Sequence, residues 1–180
     1  MYLNKTSLWT SGFVELFLLK PEDVDDSYVS WLNDPIVNCY LESRFTEHTL
    51  EGTRAFVQKC LVDPQTLFLG IKYYFPSEVK HVGNIKLAIC EYHKTAEVGI
   101  MIGEKNAWGK GVASQAILRV IEISKLELKL RRLTAGCYAS NIGSQRAFEK
   151  AGFHPECQRK GHVLMNGEPE DIVLMGYFIY

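Results

Sequence analysis

The spacing of hydrophobic and polar positions changes repeatedly along the chain, which predicts a mixed α/β fold. Apolar runs that end at turn residues predict strands over 13–20, 66–74, 81–90, 96–103 and 132–138. Apolar residues at helical spacing predict helices over 24–32, 46–60, 110–127 and 141–150. After the last helix, the Asn166-Gly167 dipeptide predicts a hairpin of two further strands.

Helices therefore interrupt a largely antiparallel sheet in the predicted order of elements. Thr46 is the expected N-cap of the helix over 46–60, and the aromatic stretch 36–45 is predicted to be irregular. No repeat, linker or low-complexity segment divides the chain. We therefore expect one α/β (α+β) domain over residues 1–180.

Residues 96–114 combine a buried strand, a short turn and a glycine-rich helix start. Both faces of the strand are apolar or small, which is typical of a central strand. At a helix start the backbone N–H groups have no intrahelical partner, and the helix dipole favours negative charge. Gly109 and Gly111 allow a ligand to approach this backbone closely. The segment therefore predicts a phosphate-binding element.

Two common phosphate-binding motifs do not fit these glycines. In a Walker P-loop four residues separate the glycines, whereas five residues separate Gly103 from Gly109, and Gly111 stands where a hydroxyl residue is required. A dinucleotide fingerprint needs a third glycine where Ser114 stands, and the next strand begins at Arg131-Arg132 without an acidic residue for a ribose. An NTPase or a dinucleotide-dependent oxidoreductase is therefore disfavoured.

Composition narrows the class of protein further. The chain has 180 residues, 47% of them hydrophobic, and a formal net charge of −1, which is typical of a soluble globular protein without a nucleic-acid or membrane partner. Neither a transmembrane run nor a secretory signal is predicted. Five scattered cysteines without a CxxC pair indicate free thiols in a reducing compartment, and we expect the cytoplasm. Unpaired histidines predict no metal site.

Several motifs in one order resemble the GNAT superfamily of N-acetyltransferases, most closely the branch of the ribosomal-protein alanine N-acetyltransferases. They are Trp31-Leu-Asn-Asp-Pro with Val37 and Tyr40, Ala96-Glu97-x-Gly-x-x-Ile102-Gly103, Trp108-Gly-Lys-Gly-x-Ala113, Ala139-x-Asn141-x-x-Ser144, Glu149-Lys150-x-Gly152-Phe153, Asn166-Gly167 and Asp171. The resemblance covers most of the chain. It implies a mixed, mostly antiparallel twisted sheet of about seven strands with about four helices.

The resemblance also implies acetyl-CoA as cosubstrate. Backbone amides of residues 108–113 are expected to hold its pyrophosphate, and its pantetheine arm is expected to lie along the strand that ends at Ile102. The expected cofactor-binding residues are Ile100, Met101, Ile102, Trp108, Gly109, Lys110, Gly111, Val112, Ala113, Asn141 and Ser144. Asn141 is equally well interpreted as a helix N-cap, and Lys110 as a solvated helix-start lysine.

Acetyl transfer to an amine needs a base, and Glu97 is the candidate. A carboxylate on a central strand is expected to be partly desolvated, which makes it a better base. A half-buried glutamate bonded to a neighbouring side chain is the alternative interpretation. Many family members protonate the leaving sulfur with a tyrosine, but Phe148 occupies that position. Ser144 is the weaker candidate for the acid.

The resemblance places acceptor contacts on the first helices and the final hairpin. The expected substrate-binding residues are Trp31, Asn33, Tyr40, Glu42, Arg44 and His48. A plain helix–loop surface with Trp31 as its core anchor is the alternative. A nucleotide-linked amino sugar is the expected acceptor. A protein N-terminal amine, an aminoglycoside, a polyamine and a non-catalytic acetyl-CoA-binding module stay open, as does a homodimer.

Overall fold

The computed structural model describes the backbone from residue 9 and the side chains from residue 12 to residue 180. Residues 1–8 of the predicted 1–180 domain lie outside the described residues. Eight strands form one sheet in the order β1-β2-β3-β4-β5-β6-β8-β7. They are β1 Trp9–Ser11, β2 Val14–Leu18, β3 Thr66–Tyr74, β4 Val79–Cys90, β5 Thr95–Ile102, β6 Arg132–Tyr138, β7 His154–Met165 and β8 Glu168–Phe178.

Five α-helices connect these strands: α1 Asp26–Asn33, α2 Pro35–Asn38, α3 Leu50–Val62, α4 Val112–Leu126 and α5 Ile142–Lys150. Short 3-10 helices lie at Pro21–Asp23, Glu42–Phe45 and Lys105–Ala107. One core, on the α4 and α5 side, includes Val98, Ile117 and Phe148. A second core, on the α1 and α3 side, includes Trp31 and Val57. Helices thus pack on both faces of the sheet, and the expected fold class is confirmed.

Local geometry corrects several predicted boundaries. The N-cap of α3 is Thr49, not Thr46, because the Thr49 hydroxyl accepts from the Gly52 amide while the Thr46 hydroxyl bonds Ser43 O. The stretch 36–45, expected to be irregular, carries most of α2 and a 3-10 helix. The helix predicted from residue 110 begins at Val112, because the preceding Gly111 has a φ of +79°. The strand predicted over 13–20 covers only Val14–Leu18.

Strand β5 lies near the middle of the sheet, as its apolar faces predicted. Its antiparallel pairing with β4 continues to Ile102, but its parallel pairing with β6 ends at Glu97 and Thr134. Beyond that point residues 98–102 of β5 and 135–138 of β6 diverge, while β6 stays paired with β8. We call this gap the β5–β6 split.

Within the described residues, no helix is long and apolar enough to cross a membrane. The same part of the chain contains no group of three or more His, Cys, Asp or Glu side chains arranged to hold a metal ion.

Candidate active site

The start of α4 has the backbone geometry that the glycine spacing predicted. Gly109 and Gly111 both have positive φ, +73° and +79°, which L side chains adopt only with strain. No heavy atom lies within 4 Å of a Cβ built on Gly109, so this backbone is open to an approaching ligand. The N–H groups of the first α4 turn lack i−4 partners, as in any helix. An anionic group fits this position.

The β5–β6 split ends beside two helix starts. Strands β5 and β6 are parallel, so their carboxyl ends lie at one edge of the sheet, where α4 follows β5 and α5 follows β6. Crevices at the carboxyl ends of parallel strands are common ligand sites. The diverging edges of 98–102 and 135–138 present backbone N–H and C=O groups to the gap. An extended, amide-bearing ligand fits between them.

The predicted cofactor residues of β5 contribute mainly through backbone. Ile100 and Ile102 pack against the α4-side core, whereas Met101 packs against the α1-side core. The Trp108 indole donates a 2.7 Å hydrogen bond to Ile102 O, which ties the loop before α4 to the end of β5. Lys110 Nζ lies 5.3 Å from the centre of the Phe75 ring, on the β3–β4 side of the loop.

The first turn of α4 completes this set. Val112 is buried in the core, and Ala113 is half-buried. Only their backbone N–H groups therefore face the helix start. The roles of these residues toward a cofactor stay predictions.

Glu97 lies on the α1 and α3 side of β5, two residues before Gly99. Its side chain is exposed, so the partial desolvation expected for a central strand is absent. The reason is local, because the next residue on this face, Gly99, has no side chain, and a Cβ built there meets nothing within 4 Å. The carboxylate therefore faces open space on the side of the sheet opposite α4.

The start of α5 brings two polar side chains to the other border of the split. Asn141 Oδ1 accepts a 3.1 Å hydrogen bond from the Ser144 amide, which makes Asn141 the N-cap. Ser144 Oγ lies 3.3 Å from Cys137 Sγ, on the divergent part of β6. Phe148 is buried against Phe153, with ring centres 5.0 Å apart.

A cluster of aromatic and charged side chains forms beyond the carboxyl end of β6. Tyr138 donates a 2.5 Å hydrogen bond to Glu42 Oε1, and its ring lies 5.7 Å from that of Tyr40. Arg44 donates to Leu41 O and Leu164 O at 2.8 and 3.1 Å. Burial, followed by the bond to Glu42, raises the pKa of Tyr138. We call Tyr40, Glu42, Arg44 and Tyr138 the acceptor-side cluster.

The structure thus brings together Tyr40, Glu42 and Arg44, and His48 contacts the same segment, because its Nε2 lies 3.0 Å from Ser43 O. Trp31 is 8% exposed, and its ring covers Gly103. Asn33 and His48 bond each other reciprocally, with Asn33 Nδ2 donating to His48 O and Asn33 Oδ1 accepting from the His48 amide. These three residues have structural contacts in the described chain, and their substrate roles stay predictions.

Sequence reasoning left Tyr138 and Cys137 out of the site. Tyr138 could have been found from the alternation of side chains along β6, which places Thr134, Gly136 and Tyr138 on the same face of the strand. Because Thr134 is in register with Glu97, this is the Glu97 face. For Cys137 no comparable signal exists, since its contact with Ser144 depends on how α5 packs against β6.

Comparisons with known proteins agree with this geometry. The family model for the acetyltransferase (GNAT) domain matches residues 14–154. The probable N-acetyltransferase YjcK of Bacillus subtilis is 34% identical over 129 residues, which are 69% of this chain and 70% of that protein.

Solved structures show the same fold. A spermidine N-acetyltransferase from Vibrio cholerae, in complex with CoA and spermine, superposes with a TM-score of 0.80 at 21% identity, covering 92% of this chain and 95% of that one. The ribosomal-protein alpha-N-acetyltransferase RimL, in complex with coenzyme A, gives 0.80 at 20% identity, covering 94% and 96%. The family model and the Bacillus relative show that this chain belongs to the GNAT acetyltransferase family.

Proposed function

We propose that this protein transfers the acetyl group of acetyl-CoA to the primary amine of a small molecule, by direct attack in a ternary complex. The observation that carries the proposal is the β5–β6 split. It runs from the open helix start of α4 past two diverging strand edges, and the Glu97 carboxylate stands on the neighbouring sheet face. One strand, β5, thus borders both a donor site and an acceptor site.

The residues present fit acetyl-CoA. Backbone amides from Trp108 to Ala113 would hold the pyrophosphate, since Gly109 leaves space for it and Gly111 allows the tight turn. The edges of 98–102 and 135–138 would pair with the amides of the pantetheine arm. When bound, acetyl-CoA supplies a thioester whose acetyl carbon an amine can attack.

Glu97 is the candidate for the group that takes the amine proton. An amine with a pKa near 8 needs only about 1.4 kcal/mol to become neutral at pH 7, whereas a lysine-like amine with a pKa near 10 needs about 4 kcal/mol. Because the Glu97 side chain is exposed, it can take the proton directly or through one water molecule. A backbone N–H near Ile100 to Ile102 would polarise the thioester carbonyl.

Ser144 is the candidate hydrogen-bond donor for the leaving thiolate. It lies at the start of α5, on the border of the split, whereas Phe148 is a buried ring without a donor. A thiol of pKa near 8.5 leaves as thiolate at a cost of about 2 kcal/mol against full protonation at pH 7. A single hydroxyl donor is therefore enough help, and a strong acid is not required.

The structure and the comparisons bear differently on three acceptor classes. A nucleotide-linked amino sugar needs a cation for its phosphates, but the Arg44 guanidinium is already committed to Leu41 O and Leu164 O. A protein N-terminal amine is supported by the RimL neighbour and a polyamine by the spermidine N-acetyltransferase neighbour, both through the fold alone. A cationic amine agrees best with the exposed Glu42 and Glu97 carboxylates.

The test is acetyl-CoA turnover over an acceptor panel: a nucleotide-linked amino sugar, an aminoglycoside, spermidine and a peptide with a free N-terminus. The acetylated product is measured by mass spectrometry, because Cys157 is exposed and would react with a thiol reagent. We expect turnover that depends on the acceptor, and titration that detects acetyl-CoA binding but no NADPH binding. Tight acetyl-CoA binding without product from any acceptor would instead identify a non-catalytic binding module.

A further inference from the structure

Resting on the proposed function, we propose that the preferred acceptor is a linear amine with a second positive charge, and that Glu42 binds this second charge. The acceptor-side cluster fixes the Glu42 carboxylate at a defined place. Glu42 Oε1 accepts the 2.5 Å hydrogen bond from Tyr138, whose ring is buried at the end of β6. The Glu42 side chain is nevertheless 73% exposed, so its carboxylate is held in position and still accessible.

The cation that accompanies Glu42 is turned away from a ligand. Arg44 Nη1 lies 3.7 Å from Glu42 Oε1, but the Arg44 side chain is only 13% exposed. Its two terminal nitrogens donate to backbone carbonyls, and its guanidinium lies 4.2 Å from the centre of the Phe45 ring. An acceptor entering this side therefore meets the carboxylate and not the guanidinium.

The neighbouring hairpin contributes charge of the same sign. Glu170 of β8 lies on the same face as Tyr138, and its Oε1 accepts a 2.7 Å hydrogen bond from the Ser140 amide. The nearby cation Lys160 is paired with Asp171 at 2.8 Å. Glu42 and Glu170 thus place two carboxylates next to Tyr138, whereas the exposed cation on this face, Arg159 of β7, is in register with Ile172 and lies one strand farther away.

The sheet face between this carboxylate and Glu97 has little side-chain bulk. Glycines stand two residues beyond the last β5–β6 pair, Gly99 after Glu97 and Gly136 after Thr134, where the two strands diverge. Gly99 is open to solvent, and Gly136 is flanked by Leu174 and Ile172 at 3.6 and 3.7 Å from a built Cβ. Tyr138 lies four positions after Thr134, which is in register with Glu97, and this corresponds to a rise of about 13 Å along β6. A slender chain with two amines fits this distance.

The experiment compares two six-carbon amines that differ only in the second charge, with spermidine as a longer polyamine. The kcat/KM of the wild-type protein is measured with 1,6-diaminohexane, with hexylamine and with spermidine, at saturating acetyl-CoA. We expect the diamine and spermidine to exceed hexylamine by about tenfold, since one charge-assisted contact covered by a ligand is worth about 1.4 kcal/mol. The preference should fall as salt is added.

Glu42→Gln is the decisive variant, because glutamine keeps an acceptor for Tyr138 and removes only the charge. We expect its KM for the diamine and spermidine to rise about tenfold, with kcat and the hexylamine KM nearly unchanged. Glu91, an exposed glutamate in the turn between β4 and β5, provides the control. Glu91→Gln makes the same change in net charge and should leave kcat and KM unchanged for every amine.

The outcomes separate this inference from the function on which it rests. Equal use of hexylamine and the diamine, or a preference for a peptide N-terminus or an amino sugar, overturns the inference and leaves the acetyltransferase intact. If Glu42→Gln lowers kcat/KM equally for all amines, the inference is also overturned, because Glu42 would then stabilise the site without binding the second positive charge. Absence of product from every amine and sugar overturns the proposed function instead.

Discussion

The Cys137 thiol lies 3.3 Å from the Ser144 hydroxyl, across the border of the β5–β6 split. Burial raises the pKa of Cys137, so its thiol stays protonated at neutral pH. A protonated thiol can donate to Ser144 Oγ, which leaves the Ser144 hydrogen free for a third acceptor. The pair therefore supplies an oriented hydroxyl at the start of α5, whereas the Phe148 side chain has no hydrogen-bond donor.

Removing this hydroxyl should slow acetyl transfer. Ser144→Ala is expected to lower kcat by about tenfold or more, the value of one hydrogen bond to a charged group, with the Kd for acetyl-CoA nearly unchanged. Cys137→Ser keeps a donor for Ser144 and should retain most of the rate, whereas Cys137→Val should lose several-fold. Steady-state kinetics with one acceptor measures all three variants. An unchanged kcat in Ser144→Ala would exclude this hydroxyl from the reaction.

Glu97→Gln tests the candidate base. Because general-base catalysis contributes about 10²- to 10⁴-fold, we expect kcat/KM to fall by at least about 100-fold, with acetyl-CoA binding retained. The loss should be largest below neutral pH, where the acceptor amine is most fully protonated. The measurement is the pH–rate profile of both proteins. If the two profiles have the same shape and height, Glu97 is not the base.

Gly111→Ala tests the helix start. A φ of +79° costs an alanine about 1–2 kcal/mol, so the free energy of unfolding should fall by that amount and acetyl-CoA affinity should fall with it. The control is Gly143→Ala in α5, where the helical backbone accepts alanine and the nearest atom to a built Cβ is Asn141 Oδ1 at 3.8 Å. Urea unfolding and titration with acetyl-CoA give both quantities. If the two variants had the same free energy of unfolding and the same acetyl-CoA affinity, the positive φ of Gly111 would not be a source of strain for alanine.

His81 should make the fold sensitive to mild acid. Its imidazole lies among the rings of Phe17, Tyr28 and Trp31, with centres 5.3 to 5.8 Å away, and its Nε2 contacts Asn84 Oδ1 at 3.0 Å. Burial lowers the pKa of His81 in the folded state, since the charged ring is poorly solvated there.

The unfolded chain therefore binds a proton at higher pH than the folded chain does. The His81 contribution to stability is complete above the unfolded pKa, about 6.5, and is lost as pH falls toward the folded pKa. Between pH 7 and 5.5 we expect the free energy of unfolding to fall because of this group. His81→Gln cannot titrate and should show a flatter profile by urea unfolding. If the free energy of unfolding changed with pH equally in His81→Gln and in the wild type, the titrating group would be a residue other than His81.

Local patterns were enough wherever neighbouring residues decide the structure. The strands Thr66–Tyr74 and Arg132–Tyr138 have the predicted bounds, because their apolar runs end at turn residues. The open α4 start was predicted for the same kind of reason, since the conformational freedom of Gly109 and Gly111 is a property of those residues themselves. The family resemblance rested in part on this glycine segment, and the family is confirmed.

Contacts between distant segments were beyond the sequence. Arg44 was predicted as a substrate-binding residue, but it donates to Leu164 O, 120 residues away, and Tyr138 bonds Glu42 across 96 residues. The split itself arises because β5 and β6 diverge after Glu97, although each strand stays paired on its other edge. A periodic pattern reports which face of one element is buried and says nothing about which element covers it.

The sequence by itself therefore determined the longer helices and strands, their order, the helix start that fits a phosphate and the family. Tertiary structure decided the exposure of Glu97, the pairing of Cys137 with Ser144 and which charge the acceptor side presents to a ligand. The physical reason is that burial and charge pairing depend on atoms brought together from separate elements, and packing alone fixes which of them meet.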